Sequence, residues 1–183
     1  MTPVEQFDRA IAGAIQDRKN LVRFLNGISD TQAQWQPPDG EWSILAGLEH
    51  IMLTEELFRS RLLDILHSAE TSGKWDNASP NPVKMSADAL RRREQGFVPA
   101  PDDLIPSGKG DFSTLRAALI ADREALCEAL RPYRDRDLSR LVFPHPVYGE
   151  RNLYDVIEYA GIHDALHCEQ MERVTRHPTY PVE

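Results

Sequence analysis

His163 and His167 stand four residues apart in a chain of 183 residues that holds six histidines. On an α-helix a step of four turns a side chain by only about 40° and leaves it roughly 5–6 Å from its predecessor, so two imidazoles at this spacing can converge on one ion. Burial of an imidazole nitrogen without a partner costs on the order of 1–3 kcal/mol. A metal ion is one such partner; a packed polar pair is the competing reading of the same spacing. A zinc-type catalytic centre takes three protein ligands and keeps a position open, so the pair needs a third donor.

The other histidines differ by their settings. His50 lies near the start of a predicted helix, on the ridge of Ala46, Leu53 and Leu57 and beside the main stripe of Ile44, Leu48, Ile51, Phe58 and Leu62. That helix is apolar on more than one side, as a helix touching two neighbours or a partner subunit is, so His50 can face inward. His67 and His177 fall at predicted helix C-termini, where the macrodipole favours an imidazolium without further function. His145 is held between Pro144 and Pro146 in a rigid loop, read as structural or at most as lining a pocket mouth.

The elements that carry these residues follow from periodicity and capping. Val4, Phe7, Ile11, Ile15, Arg18, Leu21, Val22 and Leu25 recur at steps of three and four, which predicts a first helix over 4–26. Residues 28–41 contain Pro37, Pro38 and Asp39-Gly40 and read as a turn, after which Ser43 caps a second helix from Ile44 to about His67. Residues 68–111, broken by prolines and glycines, form a long crossover; within it Ser86 to Glu94 reads as a short capped helix. Asp111 caps a third helix with Phe112, Leu115, Leu119, Leu126 and Leu130 on one face, closed by Pro132. Asn152 and Asp155 open a fourth helix that runs to about Arg176, with Leu153, Val156, Ala160, His163, His167, Gln170 or Met171, and Val174 on its inner stripe. Arg151, Glu158, Glu169, Glu172 and Arg173 fall on its other faces, and no alternating strand pattern stands out. Four amphipathic helices must cover one another's stripes, so the expected fold is all-α: a four-helix bundle with a long crossover between the second and third helices, in a single domain over residues 1–183.

Composition narrows the function classes. A formal charge of −8 argues against nucleic acid and anionic membrane surfaces as partners. No apolar run approaches the roughly 20 residues of a membrane span. Two cysteines, Cys127 and Cys168, cannot staple a domain of this size, so a cytoplasmic location is expected. Cys168 points off the His163/His167 face and reads as a small hydrophobe. A metalloprotease needs Glu after the first histidine, where Asp164 stands, and a di-iron bundle needs two Glu-x-x-His motifs; both are rejected. Asp164, rotated about 100° from His163, is read as a surface or outer-sphere acid. Tyr159 and Gln170, four before His163 and three after His167, are pocket candidates. The run Arg91-Arg92-Arg93 reads as a solvated helix face.

Trp42-Ser43 opening the helix that carries His50, the stretch Phe143-Pro144-His145-Pro146-Val147-Tyr148-Gly149, and the pair His163 and His167, in this order and separation, resemble the DinB/YfiT-like family of metal-dependent bundle proteins. The resemblance spans the chain from the first helix to the last. It implies a four-helix bundle, a homodimer, and a divalent ion held by His50, His163 and His167. Zinc and nickel suit three imidazoles best, with iron and manganese also compatible. It further implies thiol transfer with a low-molecular-weight thiol such as bacillithiol, mycothiol-dependent isomerisation, or related chemistry on a small electrophilic substrate. The contrasting class is a non-catalytic helical module for dimerisation or sensing, with a structural metal or none.

Overall fold

The computed structural model describes residues 1–81 and 99–182. The helix expected at Ser86–Glu94, with the arginine run inside it, lies outside the described residues. Among the described ones the chain is mostly helical, with one small two-stranded sheet.

Each long helix starts where a side-chain oxygen can take a first-turn N–H. Thr2 and Glu5 form a capping box that opens α1 (Pro3–Leu25). Ser43 Oγ accepts from the Ala46 N–H to open α3 (Ile44–Ser72). Asp111 accepts from the Thr114 N–H at α5 (Phe112–Leu130), and Asn152 accepts from the Asp155 N–H at α6 (Leu153–Thr175). α3 outruns its expected end at His67 by five residues and stops at Gly73, whose φ of +63° suits a residue without a Cβ. A four-residue helix, α4 (Lys74–Asn77), follows.

Two elements depart from the expected pattern. The turn after α1 contains a short helix, α2 (Asp30–Gln34), opened by a second capping box between Ser29 and Gln32. The segment before α6 is a hairpin of β1 (Val142–His145) and β2 (Gly149–Asn152), antiparallel with Val142 opposite Asn152 and His145 opposite Gly149. Its alternation buries Phe143 and His145 and exposes Val142 and Pro144. A strand of four residues containing a proline carries too short a period-two signal to read from sequence.

α1 packs on α6 and α5, and α3 packs on α5 and α6, so each long helix has two of the others as neighbours. The α1–α6 contact is close: a Cβ on Gly161 would lie 3.0 Å from the Ala14 Cα and 2.7 Å from a carboxylate oxygen of Asp17. Two apolar clusters form the core. One contains Phe7, Phe58, Leu62, Leu126 and Phe143; the other contains Leu21, Leu48, Ile51, Leu119 and Met171.

One buried polar residue from each long helix falls in sequence between the two clusters: Arg18, Glu55, Arg123 and Asp164. Arg18 donates to both Asp164 oxygens, at 2.8 and 3.0 Å, to the Leu119 carbonyl at 2.9 Å, and to Glu55. Arg123 donates to Glu55 at 2.8 Å, to Asp164 at 3.1 Å and to the Ala14 carbonyl at 2.7 Å. Burial alone would raise the Glu55 pKa, but the charges and hydrogen bonds of Arg123 and Arg18 hold it below the ordinary range. Two guanidiniums and two carboxyl groups thus close a charge-balanced layer across the four helices. No helix among the described residues is long and apolar enough to cross a membrane.

Candidate metal centre

His50 projects from α3 and His163 and His167 from α6, and one ring nitrogen of each lies within 4.8 Å of the others. The ring centroids are 5.2 Å apart for His50 and His163, 4.8 Å for His50 and His167, and 4.5 Å for His163 and His167. Outer contacts orient two of the rings. His50 Nδ1 lies 2.7 Å from the Leu104 carbonyl, which can only accept, so the proton sits on Nδ1 and the Nε2 lone pair is left over. His167 Nδ1 donates in the same way to Gln170 Oε1 at 2.9 Å. The two Nε2 atoms of His163 and His167 are 3.2 Å apart. A proton on His163 Nε2 satisfies that pair without metal; an ion would take its place between them.

The loop that supplies the Leu104 carbonyl is itself clamped to α3. Glu49 accepts from the Gly108 N–H at 2.6 Å, the Lys109 N–H at 3.1 Å, the Ser107 hydroxyl at 3.1 Å and the Gly110 N–H. Adjacent residues of one helix thus do separate work: Glu49 holds the loop and His50 takes its carbonyl. Trp42 closes the same side, its ring 4.9 Å from His50 and stacked at 6.2 Å on His167.

The three histidines open onto a cavity of about 420 Å³. Its apolar wall includes Phe58, Pro101, Leu104, Tyr148 and Tyr159, and Glu169, Gln170 and Arg173 line it on the α6 side. His145 lines it as well and is 4% exposed, a fourth histidine inside rather than a loop residue at the mouth. Burial, then the neighbouring Tyr148, raises the Tyr159 phenol well above its usual range, so it is protonated at neutral pH.

All these histidines are neutral near pH 7. Burial lowers His50 against the opposing pull of Leu104. Burial first, then the neighbouring rings of His167, His50 and His145, carry His163 well below its usual value. Burial, then His50, brings His167 to about 3; burial, then Arg151, brings His145 to about 4. Neutral imidazole is the form that ligates a metal. These histidines take up protons when the chain unfolds, so their contribution to stability is complete above pH 6.5 and is lost as pH falls toward 4, at up to roughly 1.4 kcal/mol per pH unit for each. Urea midpoints of chelator-treated protein are therefore expected to fall between pH 6.5 and 4.5, and to fall less steeply in His145→Asn. A midpoint constant across that window would contradict neutral burial.

The sequence pattern of the DinB superfamily matches residues 15–171, a span that takes in all three histidines. The chain belongs to the DinB superfamily. It is 27% identical over 157 residues to the uncharacterised protein YuaE of Bacillus subtilis strain 168, covering 82% of this chain and 87% of that protein. No solved structure matches significantly.

In this DinB chain, several side chains have surroundings other than those expected. Asp164 is not a surface acid: it is 1% exposed, turned away from the histidines into the Arg18–Arg123 layer. Arg151 is buried, and Glu169 and Arg173 border the cavity. His67 is exposed and lies a turn inside α3, not at its end. Burial, then the acids Glu172, Glu169 and Asp164, raise the Cys168 thiol to about 11, so it is no thiolate nucleophile at neutral pH. His145, expected to be structural or at most at a pocket mouth, lines the cavity together with Thr54, which no sequence pattern singled out. His145 carried a signal in the Phe-Pro-His-Pro stretch; Thr54, one turn beyond His50, carried only its spacing.

Proposed function

We propose that this DinB protein binds one divalent ion, zinc or nickel in first place and iron or manganese next, through His50, His163 and His167. The observation that carries the proposal is the convergence of three neutral ring nitrogens within 4.8 Å, with the outer nitrogens of His50 and His167 occupied by Leu104 and Gln170. Such outer contacts fix the tautomer of a ligating histidine and raise its basicity. Three imidazoles are a donor set of intermediate softness that zinc and nickel accept, and they leave positions open.

A bound divalent ion would lower the pKa of a coordinated water or thiol toward neutrality. We assign the site to a metal-dependent enzyme that acts on a small thiol or an electrophilic compound, of the S-transferase or hydrolase type, in a cytoplasmic homodimer built on a four-helix bundle. The chain's own residues set the conditions. His50, His163 and His167 present lone pairs at neutral pH, Trp42 and Leu104 contact His50 on one side, and Phe58, Tyr148 and Tyr159 give a small ligand an apolar wall.

Elemental analysis of protein purified without a histidine tag tests the binding claim. One ion per chain is expected, with occupancy lost in each of His50→Ala, His163→Ala and His167→Ala. Full occupancy in any of the three would overturn the ligand set. Thiol-transfer assays on metal-loaded protein then separate a catalyst from a non-catalytic holder, and a monomer in sedimentation would refute the homodimer.

A further inference from the structure

Two residues that line the cavity each carry a buried polar atom with no hydrogen-bond partner among the described residues: Thr54 Oγ1 and His145 Nε2. Thr54 is 7% exposed and His145 4%. Buried hydroxyl and imidazole groups are ordinarily satisfied, and each exception asks for an explanation.

The His145 ring is fixed in both orientation and tautomer. Its Nδ1 accepts from the Val147 N–H at 3.1 Å and from the Tyr148 N–H at 3.3 Å, so Nδ1 carries no proton and the neutral ring bears its hydrogen on Nε2. Phe58 and Tyr159 meet the ring edge-on at centroid distances of 5.0 and 4.9 Å, and Tyr148 packs at 4.8 Å. That cage prevents the ring from turning to find an acceptor. Thr54 lies on α3, one turn after His50 and one turn before Phe58. Two donors therefore come from different elements, α3 and β1, on residues that line the cavity beside its aromatic wall.

We propose that Thr54 Oγ1 and His145 Nε2–H form a ligand-binding subsite that takes an acceptor oxygen, a carbonyl or a carboxylate, on a small molecule with an apolar body. The acceptor group supplies the partner that each donor lacks among the described residues, and the body lies against Phe58, Tyr148 and Tyr159. The subsite adds a substrate class to the cavity read above as the metal-dependent site, and it rests on that cavity being where the substrate binds. Thr54 and His145 act here as positioning residues.

Isothermal titration of the full chain with phenylacetate, phenylacetamide and toluene tests this, in chelator-treated and zinc-loaded protein. Both oxygen probes are expected to bind more tightly than toluene, and the tighter of the two tells carboxylate from carbonyl. Thr54→Val, which removes the hydroxyl and keeps the shape, is expected to weaken both by about tenfold, the worth of one buried hydrogen bond, and to leave toluene unchanged. Thr54→Ser restores affinity. His145→Asn, which keeps an acceptor for the Val147 and Tyr148 amides and withdraws the Nε2 donor, behaves like Thr54→Val. A threonine whose hydroxyl supports the fold would not produce the companion result: Thr54→Val raises the Tm of ligand-free protein by about 2–4 °C, because it deletes a buried hydroxyl with no partner among the described residues.

The subsite is overturned if neither oxygen probe outbinds toluene, if Thr54→Val binds both within twofold of the parent, or if it lowers the Tm. Zinc content, measured in the same samples, is expected to be unchanged in both variants. Oxygen-probe binding in a protein that takes up no zinc would sink the three-histidine proposal and leave this one standing; zinc uptake without probe selectivity would do the reverse.

Discussion

Asp164→Ala is expected to destabilise the protein by about 3–5 kcal/mol, the usual cost of removing one partner from a buried ion network. The residue is 1% exposed and receives three hydrogen bonds from two guanidiniums. Without it, Arg18 and Arg123 share Glu55 alone, and a buried positive charge is left uncompensated. The loss falls on all four long helices together, because each contributes one member of the layer. At about 2–4 °C per kcal/mol for a chain of this size, the Tm drops by roughly 6–20 °C. A double variant, Arg18→Met with Asp164→Leu, removes one charge of each sign and is expected to lose less than the sum of its single changes. Thermal melts of the singles and the double measure this. An Asp164→Ala protein melting within about 2 °C of the parent would show that the layer contributes little.

Zinc is expected to raise the Tm of chelator-treated protein, and substitution of any of the three histidines to abolish the rise. An ion that binds only the folded chain stabilises it by mass action, by about 4.1 kcal/mol at a free concentration a thousand times its Kd. At the scale above this amounts to about 8–16 °C. In His163→Ala the remaining imidazoles come from different helices, and the shift collapses toward zero. His67→Ala serves as the control, since His67 is exposed and outside the cavity, and it keeps the full shift. Equal zinc shifts in His163→Ala and the parent would place the ion elsewhere. The same titration with nickel, iron(II) and manganese ranks the metals.

Much of this molecule was legible in its residues because helix periodicity and capping are local. Ser43, Asp111 and Asn152 cap the helices they were expected to open, and the stripe of the last helix carries His163 and His167 inward. A second capping box at Ser29 and Gln32 is equally local, and it opens α2 within the stretch whose prolines pointed to a turn. The spacing of four brings the pair together whatever the rest of the fold does.

Other features depended on contacts between segments distant in sequence. His50 lies off the main stripe of α3, and the Leu104 carbonyl of the loop clamped by Glu49 orients it while Trp42 packs on its ring. His145 enters the cavity because a hairpin with a weak local signal delivers it there. Asp164 is placed about 100° from the histidines by the helix repeat, yet it is buried too, because Arg18 of α1 and Arg123 of α5 reach it. A residue's angle on its own helix is settled by 3.6 residues per turn; how many of the helix's sides are covered depends on neighbours that only the folded chain supplies.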